Sequence, residues 1–183
     1  MISNQRAILD PRFRAINQSE IAGWAVVYWS FSHEMNFRSI SDKPFREIIM
    51  PNAFEDSVNA GHVGLDVNHD MKYIANQDQG NLVIEQRHEG LWARLINPPT
   101  DLWKKAREGK ILGGSYAADR IFDGWHNQER LVARGELLNL TLITEGSGQL
   151  PAFPETQGTF QTVGEDHQLE ELYQRRELEF LAL

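Results

Sequence analysis

The sequence predicts a mainly β protein with short helices, an α+β chain whose strands form a closed or nearly closed β-barrel flanked by helices. Three observations predict it. Short runs of β-branched and aromatic residues recur along the 183 residues, bounded by Gly, Pro, Asn and Asp. Only two short interior segments carry helical spacing, so many short strands must bury their apolar faces with little helical cover. The composition, 41% hydrophobic with 10% aromatic residues and five Trp, supplies a real core for one domain and argues against disorder.

The elements follow in order. Residues 1–19 are polar and aperiodic and read as a flexible arm. Residues 21–29 run Ile-Ala-Gly-Trp-Ala-Val-Val-Tyr-Trp, a strand composition. Residues 45–50 form a second strand candidate. Pro51 and Asn52 then open a short helix, with Asn52 as N-cap, Glu55 at capping-box spacing, and Phe54 and Val58 on the buried face. Residues 62–68 alternate, with Val63, Leu65 and Val67 on one side. Residues 82–85 and 91–96 read as a hairpin about His88, Glu89 and Gly90. Residues 100–108 spell a helix capped by Thr100, with Leu102, Trp103 and Ala106 inward and Gly109 in the left-handed position that ends it. Residues 111–118 return to strand, and 130–144 give one or two more. After Thr144 the chain is rich in Gly, Pro, Gln and Thr and reads as an extended connection. Residues 165–183 regain a rough apolar stripe of Leu169, Leu172, Tyr173 and Phe180. The division is therefore an arm over 1–19, a barrel domain over 20–156, and a linker with an amphipathic helix over 157–183.

Composition also excludes function classes. There is no Cys, hence no disulfide, thiolate metal site or Cys nucleophile. Net charge is −8 and the pI about 5.2. Basic residues cluster no further than Lys104-Lys105 or Arg175-Arg176, so a nucleic-acid partner is not expected. The longest apolar run, near residues 21–27, is too short to span a bilayer. Residues 1–14 lack the apolar region of a secretory signal. No membrane partner is expected.

Three segments could carry chemistry. Ser115 follows Gly113 and Gly114. A Ser hydroxyl becomes a nucleophile when a base takes its proton, and small neighbours leave room for an acyl group and expose N–H groups to an oxyanion. The competing reading is a Ser at a tight strand end whose glycines permit a bulge. His69, between Asn68 and Asp70, ends an alternating strand and could reach a cleft as a general base. It could equally be a surface His in a turn. His62, Asp66, His69 and Asp70 lie close in sequence, but they lack His-Glu-x-x-His spacing, and strand parity puts His62 and Asp66 opposite His69; no metal site is expected. In the strand 137–143, Leu138, Leu140 and Leu142 share a face that reads as core. Asn139 and Thr141 share the other, which is either a half-solvated outer face or a site lining that fixes an imidazole tautomer.

These blocks, in this order, resemble the prohead (procapsid maturation) serine proteases of tailed phages, which share the herpesvirus assemblin fold. Phe45, Glu47, Pro51, Ala53 and Phe54 match the family's F-x-E-x-x-x-P-x-A-F block. Asn68-His69-Asp70 matches its His motif, and Gly114-Ser115-Tyr116 its Ser motif. Leu91-Trp92-Ala93 after Glu89-Gly90 looks like its Gly-Leu strand. Residues 137–144 with Pro151-Ala152-Phe153 resemble its closing strand and Pro-Ala element. The match covers roughly residues 20–156.

The resemblance implies an assemblin-like barrel with Ser115 as nucleophile and His69 as general base, Gly113 and Gly114 near the oxyanion, and no cofactor or metal. The family's closing strand carries an acidic residue in a Glu-x-Ser pattern. Asn139 and Thr141 stand at those positions here, which makes Asn139 the expected third member, with Glu136 as the alternative. The implied substrates are scaffold protein, the scaffolding segment of the major capsid protein, and the enzyme itself, inside the assembling procapsid in the host cytoplasm. A homodimer, familiar among the herpesvirus relatives, is a further implied partner. The departure at Asn139 leaves a second reading, a weakly active or inactive relative that serves capsid assembly as a scaffold module through the 169–180 stripe.

Overall fold

The computed structural model describes residues 20–163. The expected arm over 1–19 and helix over 165–183 lie outside the described residues. The order is β1 (Glu20–Val27), β2 (Arg46–Ile49), α1 (Glu55–Ala60), β3 (Gly64–Val67), β4 (Ala75–Asn76), β5 (Leu82–Gln86), β6 (Gly90–Ile96), α2 (Thr100–Arg107), β7 (Ile111–His126), β8 (Glu129–Thr144), a 3-10 turn (Pro154–Thr156) and β9 (Gln161–Val163).

The strands form two open sheets, which overturns the expected closed or nearly closed barrel. The first has the order β5-β6-β1-β9, all antiparallel. The second is built on β8. β7 runs antiparallel along one edge of β8 from Ile111 to His126. β2 and β3 share the other edge end to end, both parallel to β8, and β4 adds to β3. Closure would need a continuous ladder between the sheets. Instead, single contacts join them. Tyr28 at the end of β1 makes one bridge to Ile49. The inner edge of β7 is met by an irregular segment, with Ala152 N–H on Gly114 C=O and Gly158 N–H on Leu112 C=O. Pro151 and Pro154 in that segment have no N–H to extend a ladder.

The core lies between the sheets. Ile21, Ala25 and Val26 from β1, Leu91, Ala93 and Leu95 from β6, Leu65 from β3, and Leu137, Leu140 and Leu142 from β8 join Phe54, Phe153 and Phe160 in one buried cluster. On the outer face of the first sheet Trp24 and Trp92 meet edge to face at 5.2 Å, with the Arg87 guanidinium 4.7 Å over Trp92. α1 plugs the gap between β2 and β3 on the edge of β8: Gly135 N–H reaches Ala53 C=O, and Leu137 N–H reaches Ser57 Oγ at 2.9 Å.

Several local expectations shift for physical reasons. Asn52 does not cap α1: it adopts φ +64° in a turn, its Oδ1 accepts from Gln86, and Phe54 holds the N-cap. Thr100 is the first helical residue of α2 rather than its cap, since Pro99 C=O takes the Trp103 N–H. Gly109 ends that helix at φ +67° as expected. Leu138 is 41% exposed, while Leu137 and Leu140 are buried. The β7–β8 register skips Leu138 between Asn139 and Leu137, so it is the extra residue of a bulge and the parity of β8 reverses there. Residues 157–163, placed in a linker by composition, supply β9 and the buried Phe160.

Candidate functional site

The site grows from one row across the second sheet. Asp66 on β3 is opposite Thr141 on β8, and Thr141 is opposite Ser115 on β7. Residues in such a row point to the same face, the reverse of the one that buries Leu65 and Leu140 in the core and packs Tyr116 against it. Asp66 and Thr141 are fully buried, and Ser115 is nearly so.

His69 joins the row because the chain reverses immediately after β3. Asn68, His69 and Met71 all adopt positive φ, at +55°, +54° and +60°, a conformation costly for residues with a Cβ and kept only when the surroundings over-determine it. Here they do. Asn68 Oδ1 accepts the Thr144 N–H at 2.8 Å, and Asn68 Nδ2 donates to Thr144 Oγ1 at 3.0 Å. Gln149 donates to Asn68 C=O, and Met71 N–H donates to Asp66 Oδ2. The reversal folds His69 over the face of Asp66, which alternation along a continued strand would forbid.

The imidazole then touches two hydroxyls. His69 Nε2 is 3.1 Å from Ser115 Oγ, and His69 Nδ1 is 3.2 Å from Thr141 Oγ1. The Thr141 hydroxyl has one proton, and it goes to Asp66 Oδ1 at 2.6 Å. Thr141 oxygen therefore accepts the Nδ1–H of His69. That fixes the tautomer and leaves the Nε2 lone pair facing the Ser115 hydroxyl, an arrangement able to take a proton from Ser115.

The structure brings Ser115 and His69 together but not Asn139. Asn139 is buried next to Thr141 and donates its amide to Asp66 Oδ2 at 3.0 Å and to Thr141 Oγ1 at 3.3 Å. Its direct neighbour is the carboxylate, not the imidazole. Glu136 lies on the exposed part of the β7–β8 ladder, paired with Arg120 at 3.3 Å. The space that side chains at Gly113 and Gly114 would fill is taken by packed neighbours. A Cβ at Gly113 would stand 2.7 Å from Thr156 Oγ1, and one at Gly114 would stand 2.6 Å from Ala25 Cα. The Gly114 N–H is also taken, by Thr156 Oγ1 at 3.2 Å. The glycines let β1 and the 3-10 turn pack behind the Ser115 strand. His62 pairs with Asp78 at 2.7 Å, far from a shared metal set; among the described residues no three His, Asp or Glu side chains are placed to hold a metal ion. No described helix is long and apolar enough to cross a membrane.

Asp66 is the residue that sequence reasoning missed. Its signal was present in part: an acidic residue within a Val/Leu strand, paired with a polar Asn-x-Thr on another. The signal needed the β3–β8 register to become legible.

Behind the site, on the core face, Tyr116 packs between Phe54 and Phe153, stacked on the latter at 6.1 Å. Its hydroxyl donates to Glu47 Oε2 at 2.5 Å. Glu47 also binds Arg130 at 2.8 Å, and Arg130 binds Asp123. Burial, then the Glu47 charge and hydrogen bond, hold the Tyr116 phenol well above its ordinary value. Burial alone would lower the Arg130 guanidinium, but the bonds to Asp123 and Glu47 outweigh it and raise it.

No curated protein and no solved structure matches the chain. Residues 9–170 match the family described as caudovirus prohead serine protease. A match of that extent takes in every described strand, including the three that carry the Asp66–Thr141–Ser115 row, and the chain belongs to the caudovirus prohead serine proteases, a bacteriophage family of capsid maturation.

Proposed function

We propose that this chain is an active serine endopeptidase in which Ser115 is the nucleophile and His69 the general base. The observation that carries the reading is the contact of His69 Nε2 with Ser115 Oγ at 3.1 Å while Nδ1 is held by Thr141. Ser115 Oγ attacks the scissile carbonyl, and its proton passes to Nε2. The same proton then goes to the leaving amine, which departs and leaves an acyl-enzyme. Water enters, gives a proton to Nε2 and attacks the ester, and return of that proton to Ser115 Oγ releases the acid.

The substrates we assign are scaffold protein and the scaffolding segment of the major capsid protein, within the assembling procapsid in the host cytoplasm, with cleavage of the chain itself as a further event of the same chemistry. Exposed Met71 and Leu150, on the two loops linked by the Gln149–Asn68 hydrogen bond, offer apolar contacts to a peptide beside His69.

The test is to incubate the purified chain with coat and scaffold proteins beside Ser115→Ala and His69→Ala. Both variants should fold, since neither side chain fills the core, and each should lose cleavage by at least about 1,000-fold. Cleavage by either variant at the parent rate would refute the assignment. A folded parent that cleaves none of these proteins would favour the inactive assembly module.

A further inference from the structure

Asp66 is a fully buried carboxylate with neutral partners. Its donors are Thr141 Oγ1 at 2.6 Å, Asn139 Nδ2 at 3.0 Å and the Met71 N–H at 3.3 Å. Among the described residues it forms no ion pair with Lys, Arg or His. A buried charge without a counter-ion is costly. One neighbour can become a cation when it is needed: His69, one hydroxyl away through Thr141.

Resting on the reading of Ser115 and His69 above, we infer that Asp66 is the charged third partner of the site, a positioning residue that acts on His69 through the Thr141 hydroxyl. When His69 takes the Ser115 proton at Nε2, the ring becomes positive and the attacked carbonyl oxygen negative. The Nδ1 proton stays on the ring, donated to Thr141 Oγ, and the Thr141 proton stays donated to Asp66. No proton passes beyond Nε2, and the new positive charge faces a fixed negative one. The charge that a Glu at position 139 would bring on β8 is brought here by Asp66 on β3, opposite Thr141.

A purely structural role for Asp66 competes, because its Oδ2 also ties down Met71 in the strained turn. Asp66→Asn separates the two. With its oxygen on the Oδ2 side, the new amide still accepts from the Met71 N–H and from Asn139 Nδ2, while its N–H2 meets Thr141 Oγ1 and donates where the carboxylate accepted. The charge and the acceptor for the Thr141 proton are lost, and the tie to the turn is kept.

The experiment measures the labelling of Ser115 by a fluorophosphonate on the full chain, by intact mass, with kcat and KM on coat and scaffold proteins and melting temperature in parallel. Asp66→Asn should melt near the parent, label about 100-fold more slowly and lose kcat rather than KM, less than the roughly 10,000-fold loss of a directly bonded Asp because a hydroxyl intervenes. Thr141→Val should lose a similar factor, and Thr141→Ser should recover most of it. The double variant Asp66→Asn/Thr141→Val should be no slower than Thr141→Val alone. Labelling of Asp66→Asn at the parent rate, or losses that multiply in the double variant, would overturn the inference. Should Asp66→Asn fail to fold, Thr141→Val decides alone: the parent rate overturns it, a 100-fold loss rescued by Thr141→Ser supports it. A folded parent that does not label at Ser115 would instead bring down the assignment of the nucleophile itself.

Discussion

Two carboxylates, Glu47 and Asp66, are buried on the same edge of β8 and solve the problem of burial differently. Glu47 stands on β2, beside the first third of β8, and is met by the Arg130 guanidinium and the Tyr116 hydroxyl. Asp66 stands on β3, beside the last third, and is met by a hydroxyl, an amide and a backbone N–H. The first charge is neutralised within the fold. The second is only solvated by dipoles, so its field is still available to a neighbour that gains charge. Ser115 and Tyr116, adjacent on β7, face these two environments from opposite sides of one sheet. The difference teaches that a neutralised buried charge fixes strands, whereas an uncompensated one is fit to serve a reaction.

If that is right, breaking the Glu47 cluster should cost stability and spare catalysis. Arg130→Met leaves Glu47 and Asp123 without their cation. Removing one partner of a buried pair typically costs about 3–5 kcal/mol, or roughly 10 °C in melting temperature for a domain of this size. Labelling of Ser115 per folded molecule should stay within about threefold of the parent, a change of under 1 kcal/mol in the barrier. Urea unfolding and fluorophosphonate labelling on the same sample check this. A 100-fold loss of labelling with an unchanged melting temperature would invert the comparison.

The Asp66 cluster makes the opposite demand: it should reject a second charge. Asn139→Glu would restore the acid that the closing strand of the family carries, and from sequence alone it should keep or raise activity. In the structure Asn139 Nδ2 touches Asp66 Oδ2. A second carboxylate there would share the site with the first, and one of them would be forced to keep its proton. We expect a loss of about 2–4 kcal/mol of stability at neutral pH, with partial recovery at acid pH as the pair takes up a proton. Unfolding curves at two pH values test it. A variant as stable as the parent and faster than it would restore Asn139 as the third member.

Much of this was legible in the sequence, for identifiable reasons. The motifs around His69 and Ser115 are short and local: His69 sits in the turn just after β3, and Ser115 lies inside β7, four residues after its first. The hairpin about His88–Gly90 and the helix ended by Gly109 follow from turn chemistry that acts locally. The caps at Asn52 and Thr100 are local misses; the larger ones depend on contacts between distant segments. Closure of the barrel depends on whether two distant edges meet, and no local pattern records that. The parity of β8 turned on a single bulge at Leu138, invisible to alternation because Leu suits either face. Alternation continued through Asn68 and His69 puts Asp66 opposite His69, but both residues take positive φ and the strand ends before them. The pairing of β3 with β8 converts Asp66, Thr141 and Ser115 into one row, and register between strands 75 residues apart is set by the whole core rather than by any segment.

The finest test of the comparison uses Tyr116, which shares its strand with Ser115 but belongs to the neutralised cluster. Its phenol is held above the ordinary value of 10.0 by burial first and by Glu47 second. The folded state therefore keeps the phenol proton at pH values where the unfolded chain releases it. The contribution to stability is complete below pH 10 and is lost as pH rises toward the folded value, at about 1.4 kcal/mol per pH unit for one tyrosine. Tyr28, pushed up to about 12 mainly by burial, adds a similar slope and is common to both proteins compared. Tyr116→Phe should cost about 1–2 kcal/mol at pH 8, for the lost hydrogen bond to a charged group. Above pH 10 that deficit should shrink steadily, because the variant has one proton fewer to lose on unfolding. Ser115 labelling should be unchanged at pH 8. A deficit independent of pH up to 11 would mean that neither burial nor Glu47 holds the phenol neutral. A fall in labelling without a fall in stability would mean that the two clusters are coupled through β7, and the division between a structural and a reactive carboxylate would fail at the strand they share.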